Sequence, residues 1–273
     1  VSVNSVSLPV VGGVEAAAEA LPTAALEALL GSDRPRAHAL GDVKGADEAA
    51  VVLRMLLTAL EQVAGGGVPV VIPLEGLSDE ALAALFDALA EGEVTASVRG
   101  AHVYRLRETA LHGVWHVKDE TARREYLEVA DVPQVLRGAD LEATKELLSI
   151  GKPPEGVMNV LPLLAELRHR MQTWKPGEAN HVVSFTLLPM NEVDMRHLEA
   201  QLGHGPVMAE SRGYGRTRVE LTGHRHVWSV QYLNVMGAVV LDTLEVGDVP
   251  GALLAGREDF EDSAERLAEL LEA

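Results

Sequence analysis

Residues that could carry chemistry are few in this 273-residue sequence, and what is missing is informative. There is no cysteine, which excludes disulfides, a thiol nucleophile and cysteine-ligated zinc or iron–sulfur sites. No phosphate-binding Walker loop, Gly-x-Ser-x-Gly elbow or His-Glu-x-x-His helix occurs. Gly65-Gly66-Gly67 precedes an apolar run that reads as a strand, so it is a turn and not a phosphate cradle at a helix N-terminus. The sequence therefore predicts a non-enzymatic protein without a cofactor. Among ten histidines, His224 and His226 have strand spacing and would point the same way, which makes them weak candidates for metal ligation. The most distinctive stretch is Ser211-Arg212-Gly213-Tyr214-Gly215-Arg216. Its glycines permit a sharp turn, and its arginines and tyrosine are residue types enriched at binding hot spots. Arg212, Tyr214, Gly215 and Arg216, with Trp228 and Tyr232, are the candidate partner-binding residues.

An internal repeat must position these residues. Sliding the chain by 113 positions pairs Gly92 with Gly205, Arg99-Gly100 with Arg212-Gly213, Arg105 with Arg218 and Trp115 with Trp228. Ten of the 26 positions from Gly92 to Val117 are identical. After four inserted residues in the second copy, Leu127–Pro133 pairs with Leu244–Pro250 at six of seven positions. Such an insertion is what a lengthened hairpin would leave. Arg99, Gly100, Trp115, Asp131, Pro133, Gly213, Asp248 and Pro250 form the structural motif of the repeat. Trp115 and Trp228, kept in both copies, read as core residues. Asp131 and Asp248 read as turn residues that bond nearby amides. Tyr214, Gly215 and Arg216, which replace Ala101, His102 and Val103, are where the copies diverge.

Periodicity supplies the elements. Leu53, Leu56, Leu57 and Leu60 predict a helix over 47–64, and 68–73 is a short buried strand. Ser78 opens a second helix, and four strands follow near 93–99, 102–107, 113–118 and 124–129. A helix over 140–150, capped by Asp140, leads to Lys152-Pro153-Pro154. The second copy restates the order with helices over 157–174 and 192–202, a strand over 181–188 and the strands of the repeat. A helix over 259–272 closes the chain. The fold class expected is α+β, an internal duplication of a helix-strand-helix-antiparallel-strands unit with pseudo-twofold symmetry. Its segments are an irregular arm (1–45), first unit (46–137), connecting helix and linker (138–153), second unit (154–254) and C-terminal helix (255–273). Whether the units form one sheet or two is left open.

The formal charge of −18 would repel nucleic acid and anionic lipid and would suit a basic partner segment. No apolar run approaches a membrane span, and 1–13 lack a basic secretory start, so a cytoplasmic protein is expected.

SRGYGRTRV (211–219), HVWSVQYLN (226–234), VVLDTLEVGDVP (239–250) and EDFEDSAERL (258–267) resemble the C-terminal domain of the hydrogenase expression/formation proteins of the HupH, HyaF and HoxQ type. The resemblance implies a cytoplasmic accessory protein, a chaperone without enzymatic activity. It implies action on the iron–sulfur small-subunit precursor of an uptake nickel–iron (NiFe) hydrogenase. It also implies a second partner, a small thioredoxin-like accessory protein of the HupG, HyaE or HoxO type. Two rival readings use the same residues: a metal- or cluster-handling protein with His and carboxylate ligands, and a scaffold joining other maturation factors.

Overall fold

The computed structural model describes residues 44–139, 143–185, 188–213 and 215–272. The arm expected over 1–45, apart from its last two positions, lies outside them, as do Tyr214 and the cap residue Asp140.

Helix α1 (Ala46–Ala64) buries Ala49, Val52, Leu53, Leu56, Ala59 and Leu60, a stripe at helical spacing, and ends at Gly65. Strand β1 is Val70–Pro73. Helix α2 (Asp79–Leu89) starts where the Ser78 hydroxyl accepts from the Ala81 amide at 3.2 Å. The first repeat's strands are β2 (Glu91–Arg99), β3 (Val103–Thr109), β4 (Val114–Asp119) and β5 (Arg124–Val129), followed by the single turn α3 (Gln134–Arg137). The second half brings α4 (Val160–Thr173), β6 (His181–Ser184) and α5 (Glu192–Leu202). Its sheet strands are β7 (His204–Ser211), β8 (Arg216–Thr222), β9 (Val227–Leu233) and β10 (Val239–Val246). Helix α6 (Arg257–Glu272) ends the order. Pro162 falls in the first turn of α4, where its missing N–H costs nothing. The protein is thus mixed helix and antiparallel sheet.

The two copies build one ten-stranded sheet in the order β1-β5-β4-β3-β2-β7-β8-β9-β10-β6. They join at β2 and β7, where Ala96 faces Ala209, the same position in the two copies. Small side chains there let Val94, Val98 and Val207 close over the junction on one face. That face also buries Trp115 and Trp228, beneath Val132 and Leu136 after β5 and Val249 and Leu253 after β10. The repeated aspartates meet here. Each accepts from the amide of the following valine at 2.8 Å, and Arg137 reaches Asp131 at 2.8 Å and Asp248 at 3.6 Å.

The longer helices share the opposite face. There α1, α2 and α6 cover the β1 end, while α4 and α5 cover the β6 end. Helix α6 returns to the first half, placing Phe260 and Leu267 against the α1 leucines. The repeat glycines Gly92 and Gly205 are fixed by close approach, since a Cβ on either would overlap the carbonyl of Thr109 or Thr222.

One expectation is overturned. The helix assigned within the 138–153 connecting segment does not form over 144–150. Instead Lys145 pairs in parallel with His224, its amide bonding the Gly223 carbonyl and its carbonyl the Arg225 amide, each at 2.9 Å. Leu148 is buried beside α4. Tertiary pairing prevails because a helix this short has little stability of its own. The expected strand over 181–188 is also shorter, ending at Ser184.

Candidate functional site

Between the two helical covers, no described element covers the middle of the sheet. Pleating puts alternate residues of β3, β2, β7 and β8 on this face, and the registers align them in cross-strand rows. One row runs Lys118, Arg105, Ser97, Met208, Glu220, Ser229. The next runs His116, Arg107, Thr95, Glu210, Arg218, Gln231, Asp242. The face is polar and dense in ion pairs. Arg105 bonds Glu120 at 2.8 Å, His116 bonds Glu125 at 3.0 Å, and Arg107 pairs with Glu91. In the second half His204 pairs with Glu220, while Glu210 answers both Arg216 and, at 3.8 Å, Arg212. Arg218, between them, is exposed and has no ion pair among the described residues.

At one margin the face deepens into a cleft of about 220 Å³ beneath α5. Met195, Leu198 and Leu202 form its apolar wall, and Arg218, Ser229, Gln231 and Asp242 line its floor. Burial pushes the Asp242 carboxyl above the ordinary carboxylate range; a hydrogen bond from Gln231 at 3.1 Å opposes this and nearby Glu199 adds to it. Folding therefore takes up a proton at Asp242, and stability falls as pH rises from the ordinary carboxylate pKa through the raised one. Asp242→Asn keeps an acceptor for Gln231 and removes the charge. It is expected to raise Tm at pH 7 by about 1–3 °C and to flatten that part of the pH profile, which thermal unfolding from pH 4 to 7 would check.

The candidate residues do not form one surface. Arg212 and Arg216 lie at one end of the bare face, beside the Gly213–Gly215 turn. A Cβ at Gly213 would come within 2.5 Å of the Glu93 carboxylate, which would have to swing aside, and Gly215 has a φ of 143°. Trp228 and Tyr232 project to the other face. Trp228 is 2% exposed, so it cannot touch a partner, and Tyr232 packs half-buried on the same core. The parity of β9 explains this: Trp228, Val230 and Tyr232 alternate with Ser229 and Gln231, and only the latter share a face with Arg216 and Arg218. The sequence held that alternation, but the aromatic type outweighed it.

The histidine expectation also changes. His224 and His226 lie in the β8–β9 turn, not in a strand. His224 is buried with Nδ1 3.1 Å from the Leu202 carbonyl, and burial lowers its pKa. The His226 ring lies tilted against Trp174, with ring centroids 4.8 Å apart. Among the described residues no group of three or more His, Asp or Glu converges as a metal site. No described helix is long and apolar enough to cross a membrane.

Sequence reasoning missed the residues that shape the cleft. Asp194 is fully buried and accepts four backbone N–H groups, fixing where α5 stands over the sheet. Its spacing after Asn191 was a capping-box signal, with Asp in place of Glu at the third position.

Comparison with known proteins bears on what such a face serves. The family model described as "HupH hydrogenase expression protein, C-terminal conserved region" matches residues 47–149 and again 157–273. A hydrogenase expression/formation protein HupH from Rhizobium leguminosarum is 41% identical over 191 residues, covering 68% of this chain and 67% of that one. A protein of the same description, HoxQ from Cupriavidus necator, is 38% identical over 227 residues, covering 82% and 80%. A solved HupH structure from Thiobacillus denitrificans is 30% identical, covers 40% of this chain and 92% of that one, and superposes with a TM-score of 0.36. The two family matches fall on the two copies of the repeat, and the chain belongs to the HupH hydrogenase expression protein family.

Proposed function

We propose that this protein is a non-enzymatic accessory protein of hydrogenase maturation that holds the iron–sulfur small-subunit precursor of an uptake NiFe hydrogenase. The observation that carries the reading is the bare, ion-paired sheet face in a chain whose relatives are hydrogenase expression/formation proteins. A broad charged face flanked by helices suits reversible capture of a protein segment better than enclosure of a small substrate. Its contact residues would be Arg212, Arg216 and Arg218, together with Tyr214, which the sequence adds. The remainder of the acidic surface favours approach of a basic segment, such as a twin-arginine leader. A thioredoxin-like accessory protein of the HupG, HyaE or HoxO type is the proposed second partner. The working place is the cytoplasm, before export of the small subunit.

The duplication would carry a pseudo-twofold axis between Ala96 and Ala209, relating units 46–137 and 154–254. The strand order, which reads alike from either edge when corresponding strands are matched, supports it. Neither the histidine-based metal reading nor the scaffold reading has a specific observation in its favour.

Native mass spectrometry of this protein with the small-subunit precursor, with and without its leader, tests the proposal. A one-to-one complex is expected, weakened about tenfold or more by Arg216→Ala with Arg218→Ala. Both side chains are exposed, so Tm should change little. No complex with either precursor form would refute the small-subunit assignment.

A further inference from the structure

The two copies of the repeat fill one place between helix and sheet differently. In the first copy, His116 of β4 stands on the helical side of the sheet and its Nε2 donates to the Glu125 carboxylate of β5 at 3.0 Å. Lys118 reaches the same carboxylate at 3.9 Å. The Phe86 ring of α2 lies tilted over the imidazole, with ring centroids 4.4 Å apart. An imidazole, its carboxylate and a phenyl ring thus occupy the angle between α2 and the strands.

The second copy keeps the frame and lacks the filling. Sliding by 113 positions carries Ser78 onto Asn191, the side-chain caps of α2 and α5, and Leu82, Leu85 and Leu89 onto Met195, Leu198 and Leu202. It carries Phe86 onto Glu199, His116 onto Ser229 and Lys118 onto Gln231. Asp242 takes the place of Glu125, since Gln231 faces Asp242 across β9 and β10 as Lys118 faces Glu125 across β4 and β5. Asp242 accepts from Gln231 at 3.1 Å, but Ser229 carries no ring to reach it. What is left is the cleft of about 220 Å³ lined by Glu199, Ser229, Gln231 and Asp242 beneath the apolar wall of α5. The fold does not require this opening, because the first copy fills the same place with its own rings.

The charges of the lining narrow what can enter. The carboxylates of Glu199, Glu220 and Asp242 stand against Arg218 and His204, and His204 is taken up by Glu220. This balance does not favour an anion, and the fixed guanidinium of Arg218 disfavours a second permanent cation. A planar ring that donates an N–H while neutral satisfies both conditions. Its donor would make a charge-assisted bond to Asp242, and its apolar face would lie on Met195, Leu198 and Leu202. An indole is larger than the ring that the first copy holds here.

We infer that the cleft beneath α5 receives the imidazole of a partner protein's histidine, which donates to Asp242 as His116 donates to Glu125 in the first copy. This rests on the reading of the protein as a partner-binding accessory protein and adds which side chain of the partner enters, and where.

The test titrates the full chain, at about pH 8 where the free ring is largely neutral, with 4-methylimidazole, the histidine side chain alone. Toluene, a ring without an N–H, is the comparison, and both are followed by backbone amide NMR shifts. The hydrogenase small-subunit precursor is titrated separately by calorimetry. Ser229→His supplies the ring from the chain itself, and Asp242→Asn weakens the acceptor. The expected result is saturable shifts in α5 and β9 with 4-methylimidazole, at a Kd on the order of 1 mM for so small a ligand. Toluene should bind at least about tenfold more weakly, and Asp242→Asn should weaken 4-methylimidazole by about fivefold or more. Ser229→His should abolish the shifts and weaken precursor binding about tenfold or more without lowering Tm. Absence of saturable shifts at the cleft, or toluene binding as well as 4-methylimidazole, would overturn the inference. So would unchanged 4-methylimidazole affinity in Asp242→Asn, which decides the matter if Ser229→His fails to fold. Unchanged precursor binding by a folded Ser229→His would overturn the partner's histidine while leaving the partner reading intact. Self-association of the intact chain that Ser229→His abolishes would overturn it in favour of a second copy. Failure of the intact chain to bind the precursor would remove the partner reading, and the partner's histidine with it, whatever 4-methylimidazole does.

Discussion

Asp194→Ala is expected to lower Tm by on the order of 10 °C, more than any other single polar substitution in the second half. Its Oδ1 accepts from the amides of Met158, Asn159 and Val160 at 2.8, 3.0 and 3.2 Å, and its Oδ2 from the Asn191 amide at 3.2 Å. The carboxylate thus closes the N-termini of α4 and α5 together, where unpaired amides and the helix dipoles both favour an anion. Removing it leaves several buried donors without an acceptor, and each is costly. Burial alone would raise the carboxyl's pKa, but the backbone amides more than offset that and hold it below the ordinary range. Its stabilisation is therefore fully present above the ordinary carboxylate pKa of about 3.9 and is lost as pH falls through the depressed folded value. Thermal unfolding from pH 7 to 2 should show the wild type losing stability steeply at the acid end and Asp194→Ala losing less. A Tm within 2 °C of wild type at pH 7 would sink this account. The variant should also open the cleft beneath α5, because Met195, Leu198 and Leu202 ride on the same helix.

Trp228→Ala should cost about 3–5 kcal/mol, a typical range for emptying a large buried aromatic site. Trp228 is 2% exposed among Val219, Leu221 and Val230 of its own half and Val249 and Leu253 after β10. Any loss of partner binding in this variant would follow unfolding, not a missing contact. Its repeat counterpart gives an internal control. The Trp115 indole N–H donates to the Ala130 carbonyl at 3.2 Å, whereas the Trp228 indole N–H has no such partner among the described residues. Trp115→Phe should therefore cost more than Trp228→Phe, by about 1 kcal/mol for the lost hydrogen bond. Chemical denaturation of the three variants checks both statements; equal costs for the two Phe variants would refute the second.

Local pattern made much of this protein legible. The repeat placed the strands of both copies, and the displaced match after Val230 located the longer hairpin. The valine amides bonding Asp131 and Asp248 follow from short side chains that bond the adjacent backbone. Trp228 reads in the sequence both as core and as a partner contact, and strand parity leaves only the first; His224 and His226, weak candidates on strand spacing, lie instead in a turn. The 144–150 segment misled for a related reason: its helical pattern was real, but Gly223 and Arg225 offered its backbone better partners.

The sequence by itself determined the α+β class, the duplication, most element boundaries and family membership, since all depend on spacing along the chain. The tertiary structure alone decided that the two copies share one sheet, that α6 packs on the first half, and that Arg137 joins Asp131 to Asp248. It also decided that Asp194 binds two helices and that the described helices leave the middle of the sheet uncovered. These depend on contacts between residues tens to hundreds of positions apart. Hydrophobic burial and hydrogen bonding act on proximity in space, which a local periodicity does not encode.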